Sequence, residues 1–272
     1  MRAITGRCLF IARLIAFILA GFAAIGSAGA TSANTDVTDI WWNTAEAGWG
    51  IQLVNTGTFV FATLYIYDGN GTSRWVVASM DKTSAAAPTF TGPLYATAGP
   101  PFSGPFDPAN VVEQQVGTMT FVLTSVSTGL LTYSINGVIV NKSLQRQPLT
   151  LDNYNGTFAG ILTLTATKCT DPANNNLGTT GSLLVTTTQS GTTMSQVWNL
   201  GSTTCTYNGA YSQLGRMGSF ASTWSCASGG SGTMTMSQMT NEPSMFMARV
   251  AIVSSANGCN LDGELVGIVP RQ

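Results

Sequence analysis

Apolar and β-branched residues occupy every second position through most of the chain, and Gly, Asn or Pro interrupts them about every ten residues. This period of two predicts β-strands joined by tight turns rather than helices. Within residues 58–67, the aromatic residues would share one face of a strand and the aliphatic residues the other. The Asn136-Gly137 dipeptide between two such runs predicts a two-residue type I′ hairpin, because both positions need positive φ.

The alternating pattern predicts about eight strands in each half of the chain. The first set lies near residues 39–43, 48–54, 58–67, 73–80, 89–96, 114–124, 129–135 and 138–146. The second set lies near residues 156–167, 181–188, 192–200, 203–212, 217–226, 232–239, 244–254 and 259–268. Pro148 to Asn153 separates the two sets, so we place a domain boundary near residue 150, with β domains at 31–150 and 151–272.

A meander of short, hairpin-linked strands removes its exposed edges most simply by closing into a barrel. The predicted fold class is therefore all-β, with two consecutive small antiparallel meander barrels of about eight strands each. This architecture is like that of the lipocalins and avidins, whose barrels hold one small ligand in the mouth. The likeness is one of architecture alone, since no biotin-binding set of residues can be placed. Two-sheet sandwiches are the alternative.

The first thirty residues have the pattern of a secretory signal peptide. Three arginines precede an apolar run at residues 14–25, which ends in Ser-Ala-Gly-Ala at residues 27–30. We expect cleavage after Ala30 and an exported protein, periplasmic or extracellular. A transmembrane anchor is the competing interpretation, but about eighteen or more apolar residues are needed to cross a bilayer. We therefore expect no transmembrane segment in the exported chain.

The exported chain would carry little charge. The sequence has 11 basic and 12 acidic residues, and the signal contains three of the basic ones, so the remainder is 8 minus 12, or four net negative charges. Nucleic acids and anionic lipids bind basic surfaces. Because the exported chain has a negative net charge, nucleic acid is not an expected partner. Thr, Ser, Asn and Gly supply most of the polarity, so the surface is expected to be neutral and rich in hydroxyl groups.

Four cysteines follow the signal, and all lie in the second half of the chain: Cys169, Cys205, Cys226 and Cys259. An even number suits two disulfides in an oxidising compartment, and four cysteines allow three connectivities. In a closed eight-strand meander the first and last strands are neighbours. This favours Cys169–Cys259 across the seam and Cys205–Cys226 across a hairpin. No metal site is expected, because the spacings do not suit zinc and the chain has no histidine.

Residues 40–53 concentrate three of the six tryptophans, one carboxylate and two glycines. The pattern Trp-Trp-Asn-x-x-Glu-x-Gly-Trp-Gly at residues 41–50 is followed by Trp75 and by Gly-Pro segments near residues 92–95 and 99–102. It resembles an uncharacterised β-rich domain that recurs in exported proteins of Gram-negative bacteria, over about residues 38–147. That family has no assigned activity, so the resemblance implies export and a β-rich domain and no reaction.

The same residues form a candidate ligand site. Aromatic faces stack on sugar rings and flat ligands, and a few polar groups orient them. The candidate ligand-binding residues are Trp42, Asn43, Glu46, Trp49, Gln52, Trp75, Phe102 and Phe106. Alternatively, the tryptophans plug a barrel end and Glu46 caps a backbone amide or pairs with Arg74. Phe102 and Phe106 belong to a proline-rich loop at residues 98–111, which would be either a plug on the barrel or a lid over the aromatic cluster.

Catalysis is not expected, because the chain has no histidine to act as a general base and its acidic residues are scattered. Asp262 and Glu264 share one strand face but are better explained as a solvated rim. We therefore predict an exported, non-catalytic β-barrel protein that needs no cofactor and binds a small hydrophobic or sugar ligand. The alternative is a structural or adhesive surface protein that mediates protein contacts. The sequence leaves the oligomeric state open.

Overall fold

The computed structural model describes residues 36–84, 88–242, 245–254 and 258–268. Over these ranges the protein is all-β, and its strands form two closed antiparallel barrels of eight strands each. The predicted fold class is thus confirmed, with barrels rather than sandwiches. The predicted signal peptide, residues 1–30, lies outside the described residues.

The first barrel is a simple meander in which each strand pairs with the next and the last returns to the first. Its strands are β1 (Asp39–Trp42), β2 (Gly50–Asn55), β3 (Phe59–Tyr67), β4 (Ser73–Ser84), β5 (Thr89–Ala98), β6 (Val112–Leu123), β7 (Thr128–Ile135) and β8 (Val138–Arg146). The seam between β1 and β8 is short, with Trp41 opposite Arg146 and Trp42 opposite Gln145.

Strand alternation decides which side chains enter the first barrel. On β3, Val60, Ala62 and Leu64 are fully buried, whereas the aromatic residues between and beyond them face outward. The turn between β7 and β8 has the predicted conformation, with φ of 50° at Asn136 and 84° at Gly137. Asn and Gly tolerate this left-handed region better than other residues, so the dipeptide sets the register of the last hairpin.

Trp41 is the largest side chain in the core of the first barrel and has no exposed surface. Its ring meets Phe121 edge-on at a centroid distance of 5.0 Å. Its indole Nε1 donates a hydrogen bond to the carbonyl oxygen of Val37 at 2.9 Å. The tryptophan therefore links the segment that enters β1 to the centre of the barrel.

Arg146 is also fully buried, at the end of β8. Its guanidinium forms an ion pair with Asp39 at 2.9 Å and donates hydrogen bonds to the carbonyl oxygens of Val126 (2.7 Å) and Thr38 (3.1 Å). Its carbon centre lies 4.6 Å from the centroid of the Trp41 ring. Burial lowers the pKa of Arg146, and the hydrogen bond with Asp39 opposes that shift. The buried cation thus fastens β8 to the start of β1.

The second barrel has the same topology with longer strands. They are β9 (Gly156–Thr167), β10 (Gly178–Ser190), β11 (Thr193–Asn199), β12 (Thr204–Leu214), β13 (Met217–Cys226), β14 (Ser231–Glu242), β15 (Met245–Ser254) and β16 (Asn260–Ile268). Its seam joins β16 to β9 over nine residue pairs, from Asn260 opposite Thr167 to Ile268 opposite Ala159. Disulfides join Cys169 to Cys259 and Cys205 to Cys226.

Aromatic residues and methionines fill the second barrel. Tyr154, which precedes β9, packs edge-on against Tyr211 and Phe246 at centroid distances of 5.4 and 5.7 Å. Burial raises the pKa of Tyr211 to about 12. A buried amide completes the interior, since Gln196 accepts a hydrogen bond from Trp198 Nε1 at 3.0 Å.

Candidate functional site

One end of the first barrel carries a compact cluster of three side chains. Glu46 and Trp49 belong to the loop at residues 43–49, between β1 and β2, and Lys142 belongs to β8. Lys142 Nζ donates to Glu46 Oε1 at 2.9 Å and to Oε2 at 2.7 Å, and Trp49 Nε1 donates to Oε2 at 3.0 Å. Lys142 Nζ also lies 5.5 Å from the Trp49 ring centroid. The cation that pairs with Glu46 is thus Lys142, not Arg74.

The positive charge of Lys142 and the negative charge of Glu46 neutralise each other within this cluster. The hydrogen bond from Lys142 holds the pKa of the Glu46 carboxyl below its usual range, with a smaller contribution from Trp49. Burial raises the pKa of Tyr133, which also senses the charges of Lys142 and Glu46. Because the carboxylate already accepts hydrogen bonds from two neighbours, its first role is to hold the 43–49 loop to β8.

Two further hydrogen bonds fix the same loop. Asn43 Nδ2 donates to the carbonyl oxygen of Ser143 on β8 at 3.2 Å, and the Tyr67 hydroxyl on β3 donates to the carbonyl oxygen of Gly48 at 3.0 Å. The 43–49 loop is therefore tied to strands on both of its sides. Asn43 and Glu46, both predicted as ligand-orienting groups, are occupied by contacts within the protein.

A second group of aromatic residues lies on the outside of the first barrel. Tyr65 on β3 is directly opposite Trp75 on β4, and Tyr67 is two positions further along β3. Their exposed fractions are 49% for Tyr65, 57% for Tyr67 and 52% for Trp75. On the other side of Tyr65 its partner on β2 is Gly50, which has no side chain to cover the tyrosine ring.

Trp42 extends this group across β1. It directly follows the buried Trp41, whose partner on β2 is Ile51, and the register therefore places Trp42 beside Gly50. A Cβ at Gly50 would lie only 3.0 Å from the Trp41 carbonyl oxygen, so the closely packed backbone favours glycine there. The buried Trp42 Nε1 has no hydrogen-bond partner in the described part of the protein. We call Trp42, Tyr65, Tyr67 and Trp75 the outer aromatic face.

The proline-rich loop places its two phenylalanines in solvent. Phe102 is fully exposed and Phe106 is 64% exposed. The loop is ordered locally by Asp107, whose carboxylate accepts a hydrogen bond from the Ala109 amide and begins a short 3-10 helix at Pro108–Asn110. Neither phenylalanine belongs to the barrel core.

The structure therefore divides the predicted site residues among three places. The barrel end holds Asn43, Glu46 and Trp49, the outer side of the strands holds Trp42, Gln52 and Trp75, and the loop holds Phe102 and Phe106. The residues that sequence reasoning did not select are Lys142, Tyr65 and Tyr67. The sequence did contain a signal for Tyr65 and Tyr67, because they lie at alternate positions on the aromatic face of one predicted strand. Exposed aromatic residues lower solubility, so such a face indicates an interaction surface.

Side chains fill the interior of the first barrel, which is the space that a ligand occupies in a lipocalin-like barrel. Ile51, Leu53, Leu64, Val76 and Met80 have no exposed surface and pack into one continuous cluster. Strands of a small eight-stranded barrel leave just enough space for such side chains. Ligand contacts would thus have to use the outside of the barrel or its ends.

The two carboxylates of β16 each have a partner within the second barrel. Asp262 Oδ2 accepts a hydrogen bond from Thr167 at 2.7 Å, and Glu264 lies 3.6 Å from Arg249. In the described residues, no three His, Cys, Asp or Glu side chains come together in a way that would hold a metal ion. In the same part of the chain, no helix has the length and apolar composition to cross a membrane.

Comparison with known proteins gives no match to any family model, curated protein or solved structure.

Proposed function

We propose that this protein is an exported, non-catalytic binding protein whose ligand site is the outer aromatic face. The observation that carries the proposal is the group of three half-exposed rings, Tyr65, Tyr67 and Trp75, on adjacent strands of a filled barrel. Large aromatic residues are buried on average, and a contiguous exposed group of them marks interaction surfaces. The ligand would therefore bind to the outside of the barrel.

Rigid support favours this surface over the proline-rich loop. The rings project outward from strands that are hydrogen-bonded on both sides in a closed sheet. The Tyr67 hydroxyl also donates a hydrogen bond to the Gly48 carbonyl oxygen. A rigid aromatic platform loses little conformational entropy when a ligand binds. Phe102 and Phe106 are more exposed but lie on a loop, so holding them in place against a ligand would cost binding energy.

Two features support the other parts of the proposal. The two disulfides suit an oxidising compartment, in line with the signal-like pattern of the first thirty residues. The absence of histidine, and the partners of Glu46, Asp262 and Glu264, favour binding over acid–base catalysis.

A ligand screen tests the proposal. Tryptophan fluorescence of the purified protein, without residues 1–30, would be recorded against sugars, lipids and aromatic metabolites, and the affinity of responders measured by calorimetry. Trp75→Ala and Tyr65→Ala should each weaken binding by at least about tenfold. Phe106→Ala is the matched control, since it removes an exposed ring outside the outer aromatic face and should change affinity less than twofold. A responder that binds Trp75→Ala and Tyr65→Ala as tightly as wild type would refute the proposal.

A structural or adhesive role is the second candidate, and an apolar stripe on the second barrel favours it. On the outer side, Ile161 of β9 pairs with Val266 of β16, which pairs with Met247 of β15. These three are between 37% and 57% exposed. The occupant would be a second copy of the chain, because a two-fold axis lets one apolar patch pack against itself. Sedimentation tests this self-association: a dimer that Ile161→Ser dissociates would support the role, and a monomer would rule out self-association through this stripe.

A further inference from the structure

Resting on the proposed function, we infer that the ligand of the outer aromatic face is an uncharged polysaccharide whose chain lies across the strands. Three properties of the surface around Tyr65 and Trp75 favour such a ligand: its few charges, the direction in which its rings are arranged, and the polar groups beside them.

The strand positions that share the outer side of the barrel with the rings carry almost no charge; Arg74, which precedes Trp75 on β4, has its side chain on the other side by strand alternation. On β8, β1, β2 and β3, every position that alternates with the buried residues is uncharged. On β4 the one outward carboxylate is Asp81, opposite Phe59 at the far end of β3. The closest carboxylate in sequence, Asp68, accepts hydrogen bonds from the Asn70 and Thr72 amides of its own turn. An anionic polymer or an anionic lipid surface would find no cation on this face.

The rings form a row that runs across the strands. Trp75 is opposite Tyr65, Tyr65 is opposite Gly50, and Trp42 lies beside Gly50 on β1. Neighbouring strands are about 4.8 Å apart, so the row from Trp42 to Trp75 extends over about 14 Å. A platform of this length suits several consecutive units of a polymer better than one small molecule, which binding sites usually enclose on most of its surface.

Hydrogen-bonding side chains stand beside this row. Gln145 on β8 is opposite Trp42, and Gln52 on β2 is opposite Thr63 on β3, one outward position from the row. A pyranose ring presents its C–H face to an aromatic ring while its hydroxyl groups point sideways, where amide and hydroxyl groups can pair with them. Aromatic rings with uncharged amides beside them therefore match a neutral sugar chain. An aliphatic lipid would leave the amides without partners.

Binding to insoluble polysaccharides tests the inference. The protein without residues 1–30 would be mixed with microcrystalline cellulose, chitin or curdlan, and the unbound fraction measured after centrifugation. We expect wild type and Phe106→Ala to bind at least one of them, and Trp75→Ala and Tyr65→Ala to bind at least about tenfold more weakly. Binding should be unchanged between low and high salt, because no ion pair contributes. Trp75→Phe should retain most of the affinity, and circular dichroism would confirm that each variant is folded.

The remaining outcomes separate the two proposals. If Trp75 and Tyr65 are needed for binding to alginate gel, to phosphatidylglycerol vesicles or to an aromatic dye, while wild type binds no neutral polysaccharide, the inference is wrong and the proposed function stands. If wild type binds a neutral polysaccharide and the two alanine variants bind it equally well, both are wrong. Failure of wild type to bind any of the three polysaccharides overturns the inference.

Discussion

In the first barrel, β1 meets β8 over two residue pairs, whereas in the second barrel β16 meets β9 over nine. The short seam is accompanied by a fully buried Arg146, which bonds to Asp39 and to backbone carbonyl oxygens. The long seam has a nearly complete backbone ladder and the Cys169–Cys259 disulfide beside it. The first barrel thus closes its short seam with the help of one buried side chain, and the second closes its long seam through its backbone ladder and a disulfide.

The two barrels also differ in the side chains on their outer surfaces. On β3 and β4 the first barrel exposes Tyr65, Tyr67 and Trp75, with Trp42 half-buried on β1, whereas β9 and β10 of the second barrel expose mostly threonine and serine. Thr157 and Thr186 lie 3.1 Å apart between their hydroxyl oxygens. Hydroxyl ladders of this kind stabilise a sheet and keep it soluble without charge. Exposed aromatic rings are thus concentrated on the outside of the first barrel, and exposed hydroxyl groups on β9 and β10 of the second.

The largest effect is expected from removing the seam disulfide. Cys169→Ser with Cys259→Ser should lower the stability of the second barrel by about 4.6 kcal/mol, because the disulfide closes a separation of 90 residues. Cys205→Ser with Cys226→Ser, with a separation of 21, should cost about 3.3 kcal/mol. Urea unfolding followed by tryptophan fluorescence measures both. The reverse order would contradict the role given to the seam, and reductant should leave the cysteine-free first barrel unchanged.

The first barrel should respond to loss of its buried cation. Arg146→Met breaks the buried ion pair with Asp39 and removes the donor to the carbonyl oxygens of Thr38 and Val126, at a cost of about 3–5 kcal/mol. Arg249→Met is the control, since Arg249 is 40% exposed in its ion pair and its loss should cost about 1 kcal/mol or less. Urea unfolding measures the difference. Equal costs for the two variants would show that Arg146 does not close the seam.

Trp41 on β1 points into the first barrel and Trp75 on β4 points outward, and the two offer a smaller contrast. Trp41→Phe creates a cavity and removes the hydrogen bond to Val37, and should cost about 1–3 kcal/mol. Trp75→Phe, on the outside, should change stability by about 0.5 kcal/mol or less. Thermal unfolding of both variants checks the assignment of inside and outside. A larger loss for Trp75→Phe would place that ring in the core.

The smallest expected effect is a local change with pH in the cluster of Glu46, Trp49 and Lys142. The folded pKa of Glu46 is lowered from its ordinary value of 4.5, so the contacts with Lys142 and Trp49 are fully present above that value. They are lost as the pH falls through the lowered folded pKa. Trp49 fluorescence should change in that acidic range in the wild type and stay constant in Glu46→Gln. An identical acid transition in both proteins would assign it to another group.

Periodicity was enough to predict the double barrel, because alternation and turn residues act locally. The Asn136-Gly137 hairpin is one example, since its φ values follow from the two residue types. The choice between Trp41 and Trp42 was not predictable, because a shift of one residue exchanges the two faces of a strand. The partner of Glu46 was not predictable either. Lys142 is 96 residues further along the chain and comes near Glu46 only when β8 pairs with β1.

The most direct test of the binding site is a titration of the six indole N–H signals in a ¹H–¹⁵N spectrum. The titrant would be a soluble neutral oligosaccharide, tried as cellohexaose, chitohexaose and laminarihexaose. We predict the largest shift at Trp75, a smaller one at Trp42, and none at the buried Trp41 and Trp198. Shifts confined to Trp49 or to the second barrel, with Trp75 unchanged, would contradict a ligand site on the outer aromatic face.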